Sequence, residues 1–308
     1  MIKKVIVFLF VFILLITSYP QKKKEEDIKK EKIVENNESN KQSINIKNVD
    51  IIYNDEVSNI DLEDYVLGVV ACEMPASFDI EALKAMAVAA RTFALYKVTT
   101  NSNYKLSTTT KDQCYISVDR MKDRWKGSFD KNYNKIKSAV KSTDNQYMTY
   151  NDKVIIAFYF SISNGFTENC ENVFSQKLDY LKSVDSSWDK EYSYKEKTIK
   201  ISVNEFLNKL GINSSKIDNI KIDRSDTNRI KTITINNKVF KGTKVRSLLG
   251  LRSTDFDVEI NNDEVSITTR GYGHGVGLSQ YGANAMAKKG YKYDEILKYY
   301  YTGIDIHE

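Results

Sequence analysis

Pro75 closes an amphipathic helix whose apolar stripe ends on an acid, and this combination constrains the chain more than any other segment. The run Asp61-Leu-Glu-Asp-Tyr-Val-Leu-Gly-Val-Val-Ala-Cys-Glu-Met-Pro75 has a good N-cap in Asp61, acids in its first turn and a proline to stop it. Leu62, Val66 and Val69 recur at i, i+4 and i+7, and the next member of that stripe is Glu73. Burial disfavours a charged carboxylate there, and so does the negative end of the helix dipole. A carboxyl that keeps its proton near neutral pH is what general-acid catalysis needs. Spacing alone leaves a second reading open, in which Glu73 is a helix-end acid turned out to solvent.

The 308 residues, 41% hydrophobic and 28% charged, suffice for one large globular domain or two modest ones. The chain begins Met-Ile-Lys-Lys and continues with an apolar run from Val5 to Ile16. As a helix that run covers roughly 18 Å, short of the roughly 30 Å of bilayer hydrocarbon. It fits the apolar region of an export signal behind a basic start. No Ala-x-Ala cleavage site follows. Residues 1–20 are therefore expected to be a signal-anchor or signal peptide, with the uncleaved anchor favoured. Residues 21–47 are mostly Lys, Glu, Asn and Ser, cannot bury enough surface to fold, and are expected to form a disordered tether. The protein is expected to act outside the cytoplasm, anchored to the cell membrane or secreted if the segment is cleaved.

Cys72, Cys114 and Cys170 are an odd number with no C-x-x-C spacing. One disulfide is compatible with them, but three buried or free thiols are the expectation. With only His274 and His307 as histidines, a metal site would have to gather ligands from distant segments, and no metal or cofactor is expected. A net charge of +5 suits anionic cell-wall polymers or lipid head groups as well as nucleic acid. No Arg-rich stripe or zinc-finger pattern favours nucleic acid.

Along the chain, Ser77 or Asp79 caps a second helix over Ile80–Lys97, whose alanines allow close packing. Lys84 and Arg91 are seven apart and share one face, which by default would be a solvated outer face. Thr108 to Tyr115 is polar and turn-like, and Phe129 to Thr143 looks helical. Gln146–Tyr150, the turn Asn151-Asp152 and Lys153–Phe160 read as a hairpin rich in β-branched and aromatic residues. Beyond Lys195 short alternating strands follow a strand at Thr198–Val203 and a helix at Asn204–Leu210.

Gly271-Tyr-Gly-His-Gly-Val-Gly277 does not have G-x-G-x-x-G spacing, and no Gly-Lys-Ser/Thr follows. It is expected to be a loop whose backbone approaches a ligand closely. Ser279 then caps a helix over Gln280–Lys289. The expected fold class is α+β, with mixed helices and antiparallel strands. A catalytic region at 48–194 and 270–308 would carry a small strand-rich α+β subdomain, 195–269, as an insertion.

Three stretches together resemble a known family. They are Val69-Val-Ala-Cys-Glu-Met-Pro-Ala-Ser-Phe78, Leu83-Lys-Ala-Met-Ala-Val-Ala-Ala-Arg-Thr-Phe-Ala-Leu95 and Gly273-His-Gly-Val-Gly-Leu-Ser-Gln-Tyr-Gly-Ala283. They are similar to the stage II sporulation protein D family, whose relatives include the N-terminal part of amidase-enhancer proteins. The resemblance implies a membrane-anchored lytic transglycosylase that cleaves peptidoglycan glycan stripped of stem peptides, in septal remodelling and engulfment. It implies as partners an amidase and the engulfment membrane proteins named stage II sporulation proteins P and M. It makes Glu73 the catalytic acid and assigns importance to Lys84 and Arg91, which overrides the solvated-face reading.

A glycoside hydrolase usually needs two carboxylates. A lytic transglycosylase can work with one, because the sugar supplies its own nucleophile. Lys84 or Arg91 would hold the muramyl lactyl carboxylate, for which an Arg fork is suited. Gln113, Tyr115, Asn164, His274, Ser279 and Gln280 complete the candidate substrate-binding residues, with His274 more a loop brace than a base. Phe160 stands where many relatives carry His, which puts a zinc site there in doubt despite nearby Cys170. Cys72, at a position often Gly, reads as a small buried residue. Two alternatives remain: a non-catalytic wall-binding amidase enhancer, and an ordinary hydrolase in the same cleft.

Overall fold

In the computed structural model, which describes residues 44, 46–174, 176–191 and 196–308, the chain enters through a hairpin. Strands β1 (Asn48–Tyr53) and β2 (Glu56–Asp61) pair antiparallel, turning at Asn54 and Asp55, both with positive φ. The expected signal-anchor at 1–20 lies outside the described residues, as does almost all of the expected tether at 21–47. Among the described residues no helix is long and apolar enough to cross a membrane.

Asp61 ends β2 and caps helix α1 (Leu62–Glu73), accepting from the backbone N–H groups of Glu63 and Asp64. Leu62, Val66 and Val69 are buried, as their spacing predicts. Met74 leaves the helix in extended backbone just ahead of Pro75. Asp79, rather than Ser77, caps α2 (Ile80–Thr100), whose run from Ala82 to Leu95 is buried except for Lys84. Its small side chains let α1 and three later helices pack around it, so the Ala-rich segment is the hub of the core.

Two helices follow a short strand β3 (Leu106–Ser107), α3 (Val118–Trp125) and α4 (Phe129–Lys141), the latter packed on α1 and α2. Strand β4 (Tyr147–Tyr150) turns at Asn151-Asp152 into β5, which is only Lys153–Val154. The alternation predicts one strand through Phe160, but the chain leaves that sheet. It re-pairs as β6 (Tyr159–Phe160), parallel to β13 (Leu278–Ser279). That exchange of partners brings the Gly-rich segment beside the middle of the chain.

After a short helix α5 (Cys170–Phe174), residues 196–270 build a core of their own. Strand β7 (Glu196–Ser202), helix α6 (Val203–Lys209), strands β8 (Ile220–Arg224), β9 (Ile230–Ile235) and β10 (Lys238–Lys241), helix α7 (Gly242–Leu249), and strands β11 (Asp255–Asn261) and β12 (Glu264–Arg270) supply it. They form two antiparallel sheets, β10-β9-β8 and β11-β12-β7, around Phe206, Ile233, Phe256 and Ile267. The chain closes with α8 (Gln280–Lys288), α9 (Tyr293–Tyr300) and β14 (Asp305–His307), which returns to pair with β4. The architecture is α+β, with small mostly antiparallel sheets around a helical centre.

Candidate active site

Glu73 turns inward. Its Oε1 accepts from the Cys114 backbone N–H at 2.9 Å and from the Tyr159 hydroxyl at 3.3 Å, and Oε2 accepts from Gln280 Nε2 at 3.3 Å. The end of α1, the loop before α3, strand β6 and the start of α8 therefore meet at one carboxyl. Burial pushes its pKa above the ordinary carboxylate value, and the three donors oppose that shift without cancelling it. Oε1 is engaged twice, so Oε2 is the oxygen better placed to carry a transferable proton.

Behind Glu73 runs a directional chain of hydrogen bonds. The Tyr65 hydroxyl donates to Gln113 Oε1 at 3.2 Å, and Gln113 Nε2 donates to the Tyr159 oxygen at 3.1 Å. Tyr159 must then send its own proton towards Glu73. Burial raises the pKa of both tyrosines, and the neighbouring Glu73 charge adds to it, so they act as neutral donors. Tyr159 was not among the sequence candidates. Its strand context pointed to a core residue, and Glu73 lies 86 positions away.

The cysteine expectation is corrected here. Cys72 and Cys114 form a disulfide across 42 positions, and only Cys170 is free, buried, with its thiol pushed up to about 11. The bridge joins the residue before Glu73 to the residue whose N–H binds Glu73. Elimination from an odd cysteine count could not choose the pair, because pairing depends on Cα separation, here 5.7 Å.

The remaining candidates divide by position. Gln113 and Gln280 are buried members of the Glu73 network. Tyr115 is seated on Gly68 of α1 and stacks on Tyr65 with ring centroids 5.8 Å apart. Ser279 caps α8 through the Gly282 N–H and donates to buried Asp189 at 2.9 Å. Asn164 ties its loop to Thr227 and Asp255 in the 196–270 segment.

Lys84 and Arg91 do not form a solvated face, and both are paired with acids. Lys84 Nζ lies 2.8 Å from Glu81. Arg91 is fully buried, with Nε 2.6 Å from Glu63 Oε1, Nη2 bonded to Oε2, and Nη1 on the Gln146 carbonyl at 3.0 Å. The guanidinium expected to grip a substrate carboxylate already grips one from the protein.

His274 is also occupied. Its Nδ1 accepts from the Val276 N–H at 3.1 Å, which leaves the proton on Nε2, and the ring also bonds to the backbone of Tyr159. Burial and the charges of Arg246 and Arg229 push its pKa down to about 3, so the imidazole is neutral. It packs edge-on against Phe158 and Phe174 and braces β6 from the face opposite Glu73. The Gly-rich segment approaches the protein's own backbone. Gly277 has φ +78°, and a Cβ there would overlap the Phe158 carbonyl. Among the described residues no group of three or more His, Cys, Asp or Glu side chains could hold a metal ion.

The site is thus a half-buried acid held by three neutral donors at the junction of α1 and the Gly-rich segment. A profile described as stage II sporulation protein matches residues 53–150. The stage II sporulation protein D of Bacillus subtilis is 45% identical over 264 residues, covering 83% of this chain and 77% of that protein. Its counterpart from Bacillus amyloliquefaciens is 44% identical over 263 residues, covering 83% and 76%. The amidase enhancer of Bacillus subtilis is 31% identical over 294 residues, covering 77% of this chain and 39% of that protein. The chain belongs to the stage II sporulation protein D family.

Proposed function

We propose that this protein is a peptidoglycan lytic transglycosylase in which Glu73 serves first as acid and then as base. The observation that carries the reading is the half-buried Glu73 carboxyl, held by three neutral donors with its proton affinity raised. Protonated Glu73 gives its proton to the oxygen bridging N-acetylmuramic acid and N-acetylglucosamine, and the C1–O bond breaks with that oxygen leaving as an alcohol. The Glu73 carboxylate then takes the proton from the muramyl C6 hydroxyl as its oxygen bonds to C1. The product is a 1,6-anhydro end and Glu73 is protonated again. Water need not be activated, so one carboxyl suffices.

The preferred substrate in this reading is glycan stripped of stem peptides by a partner amidase, in septal remodelling during sporulation. Stage II sporulation proteins P and M are the proposed partners, and the N-terminal apolar segment the membrane anchor. The Cys72–Cys114 disulfide supports an oxidising, extracytoplasmic setting. The similarity to an amidase enhancer supports a second reading, a non-catalytic wall binder.

One digestion separates the two. Purified peptide-free glycan is treated with the protein and with Glu73→Gln, and the products are weighed by mass spectrometry. Anhydro ends from the native protein and none from the variant are expected. Equal release by both would refute the role of Glu73, ordinary reducing ends would make the protein a hydrolase, and no release by either would favour the wall binder.

A further inference from the structure

Lys84 and Arg91 are both committed to glutamates, so recognition of an anionic glycan must fall to other cations. A cavity of about 590 Å³ opens between the C-terminus of α7, the start of β7 and the Gly-rich segment. Lys197, Arg246, Arg252 and Tyr272 line it, together with Ser247, and no carboxylate does. Among the described residues the Arg246 side chain makes one hydrogen bond, from Nε to the Leu251 carbonyl at 3.3 Å, and its terminal nitrogens have no hydrogen-bond partner. Arg252 Cζ lies 5.6 Å from the Tyr272 ring centroid, and Tyr272 is 52% exposed. None of the three cations has an ion-pair partner among the described residues.

A guanidinium stacked on an exposed aromatic face, beside a second unpaired guanidinium, is a combination that suits a sugar bearing a carboxylate. The ring face that Arg252 leaves open is available to a pyranose, and the two Arg forks offer paired donors to the acid. Burial without a counter-ion lowers the Arg246 pKa, a cost that an incoming anion would relieve. The cavity and the acid site share the Gly-rich segment. Eight residues beyond Tyr272 along the same segment, Gln280 donates to Glu73.

We propose that the Arg246–Arg252–Tyr272 cavity is a subsite for the muramyl lactyl carboxylates of peptide-free glycan. This rests on the glycan reading of the protein. It adds a physical basis for substrate choice: amide linkage of a stem peptide removes the lactyl charge, and its removal by an amidase restores it. The cavity therefore reads the charge, while Glu73 performs the chemistry elsewhere along the strand.

The test uses the Glu73→Gln protein, so that binding is measured without cleavage. Peptide-free glycan and the same glycan with its carboxyls converted to amides are each titrated against this protein and against its Arg246→Gln/Arg252→Gln derivative. Affinity of the parent for acidic glycan is expected to exceed that of the derivative by about tenfold or more, the ratio expected from losing charge-assisted contacts. The amidated glycan should bind both proteins equally weakly. Indifference of the parent to amidation, or equal affinity of the two proteins for acidic glycan, would overturn the proposal. So would a wall phosphate polymer binding the parent more tightly than acidic glycan and losing that advantage in the derivative, because the site would then be a phosphate site. Circular dichroism of the derivative excludes unfolding, and Tyr272→Ala offers an independent probe of the stacking half. Failure of the glycan digestion with these binding results intact would remove the enzymatic reading and leave the subsite standing.

Discussion

The guanidinium of Arg91 on α2 clasps the carboxylate of Glu63 in the first turn of α1, with Nε 2.6 Å from Oε1 and the second fork nitrogen on Oε2. Glu63 lies ten positions before Glu73 on the same helix, so this pair sets how the helix bearing the acid lies against the core. Arg91 side-chain exposure is 0% and Glu63 is 28% exposed, so the pair is more than a surface contact.

Arg91→Ala is expected to destabilise the protein by about 3 kcal/mol or more, because it strands the Glu63 charge and empties a packed volume. Arg91→Lys should recover only part of that, since an ammonium cannot make the forked contact. Urea midpoints of both variants and of Glu63→Gln provide the check. An Arg91→Ala loss under about 1 kcal/mol would mean that the pair is not a structural brace.

Tyr159→Phe should move the pH dependence of the proposed glycan cleavage. The hydroxyl donates to Glu73 and so favours its charged form; without it, the carboxyl holds its proton to higher pH. Activity that needs protonated Glu73 falls as pH rises through that pKa, so the alkaline limb of kcat/KM is expected to shift upward. The Gln113 amide loses its acceptor, and stability should drop by about 1–3 kcal/mol. A limb that stays in place would separate Tyr159 from the acid.

Glu73 also predicts a stability change with the sign opposite to most acid substitutions. Its folded pKa lies above the ordinary 4.5, so the folded state holds its proton more tightly than the unfolded state. Stability from this group is fully present below the unfolded value and is lost as pH rises through the folded value. Glu73→Gln is therefore expected to be more stable than the native protein at neutral pH, with the gap closing as pH falls through about 4.5. Melting curves across that window decide it.

The readable parts of this site were the local ones. The stripe Leu62–Val66–Val69 and the Asp61 cap are decided within one helix, so periodicity put Glu73 in line with that stripe, while its inward turn is fixed by Cys114, Tyr159 and Gln280 from other elements. The Asn151-Asp152 turn between β4 and β5 followed from turn chemistry. Asn54-Asp55 carried the same signal, yet the β1–β2 hairpin escaped the sequence reading. Equal spacing correctly put Lys84 and Arg91 on one helix. Which neighbours that face meets depends on Glu63 and Glu81, and those contacts are tertiary. The run Lys153–Phe160 alternates like one strand, but β13, whose residues lie 119 positions beyond their partners in β6, captures its end. Tyr159 became a partner of Glu73 through that long-range pairing, which no local pattern encodes.

The Cys72–Cys114 bridge gives the last prediction. It closes a loop of 42 residues, for which the chain-entropy account gives about 4 kcal/mol of stabilisation through the unfolded state. It also holds the Cys114 N–H at 2.9 Å from the Glu73 carboxylate. Replacing both cysteines by serine is expected to lower the unfolding midpoint and, separately, to loosen that donor. Loss of the donor removes one influence that favours charged Glu73, so the alkaline limb of activity should move upward, as with Tyr159→Phe. Thermal unfolding reports the first effect and the pH–rate profile of the protein that remains folded reports the second. A stability loss with an unmoved profile would confine the bridge to a structural role, whereas a moved profile at full folding would make the Cys114 loop part of the acid's tuning.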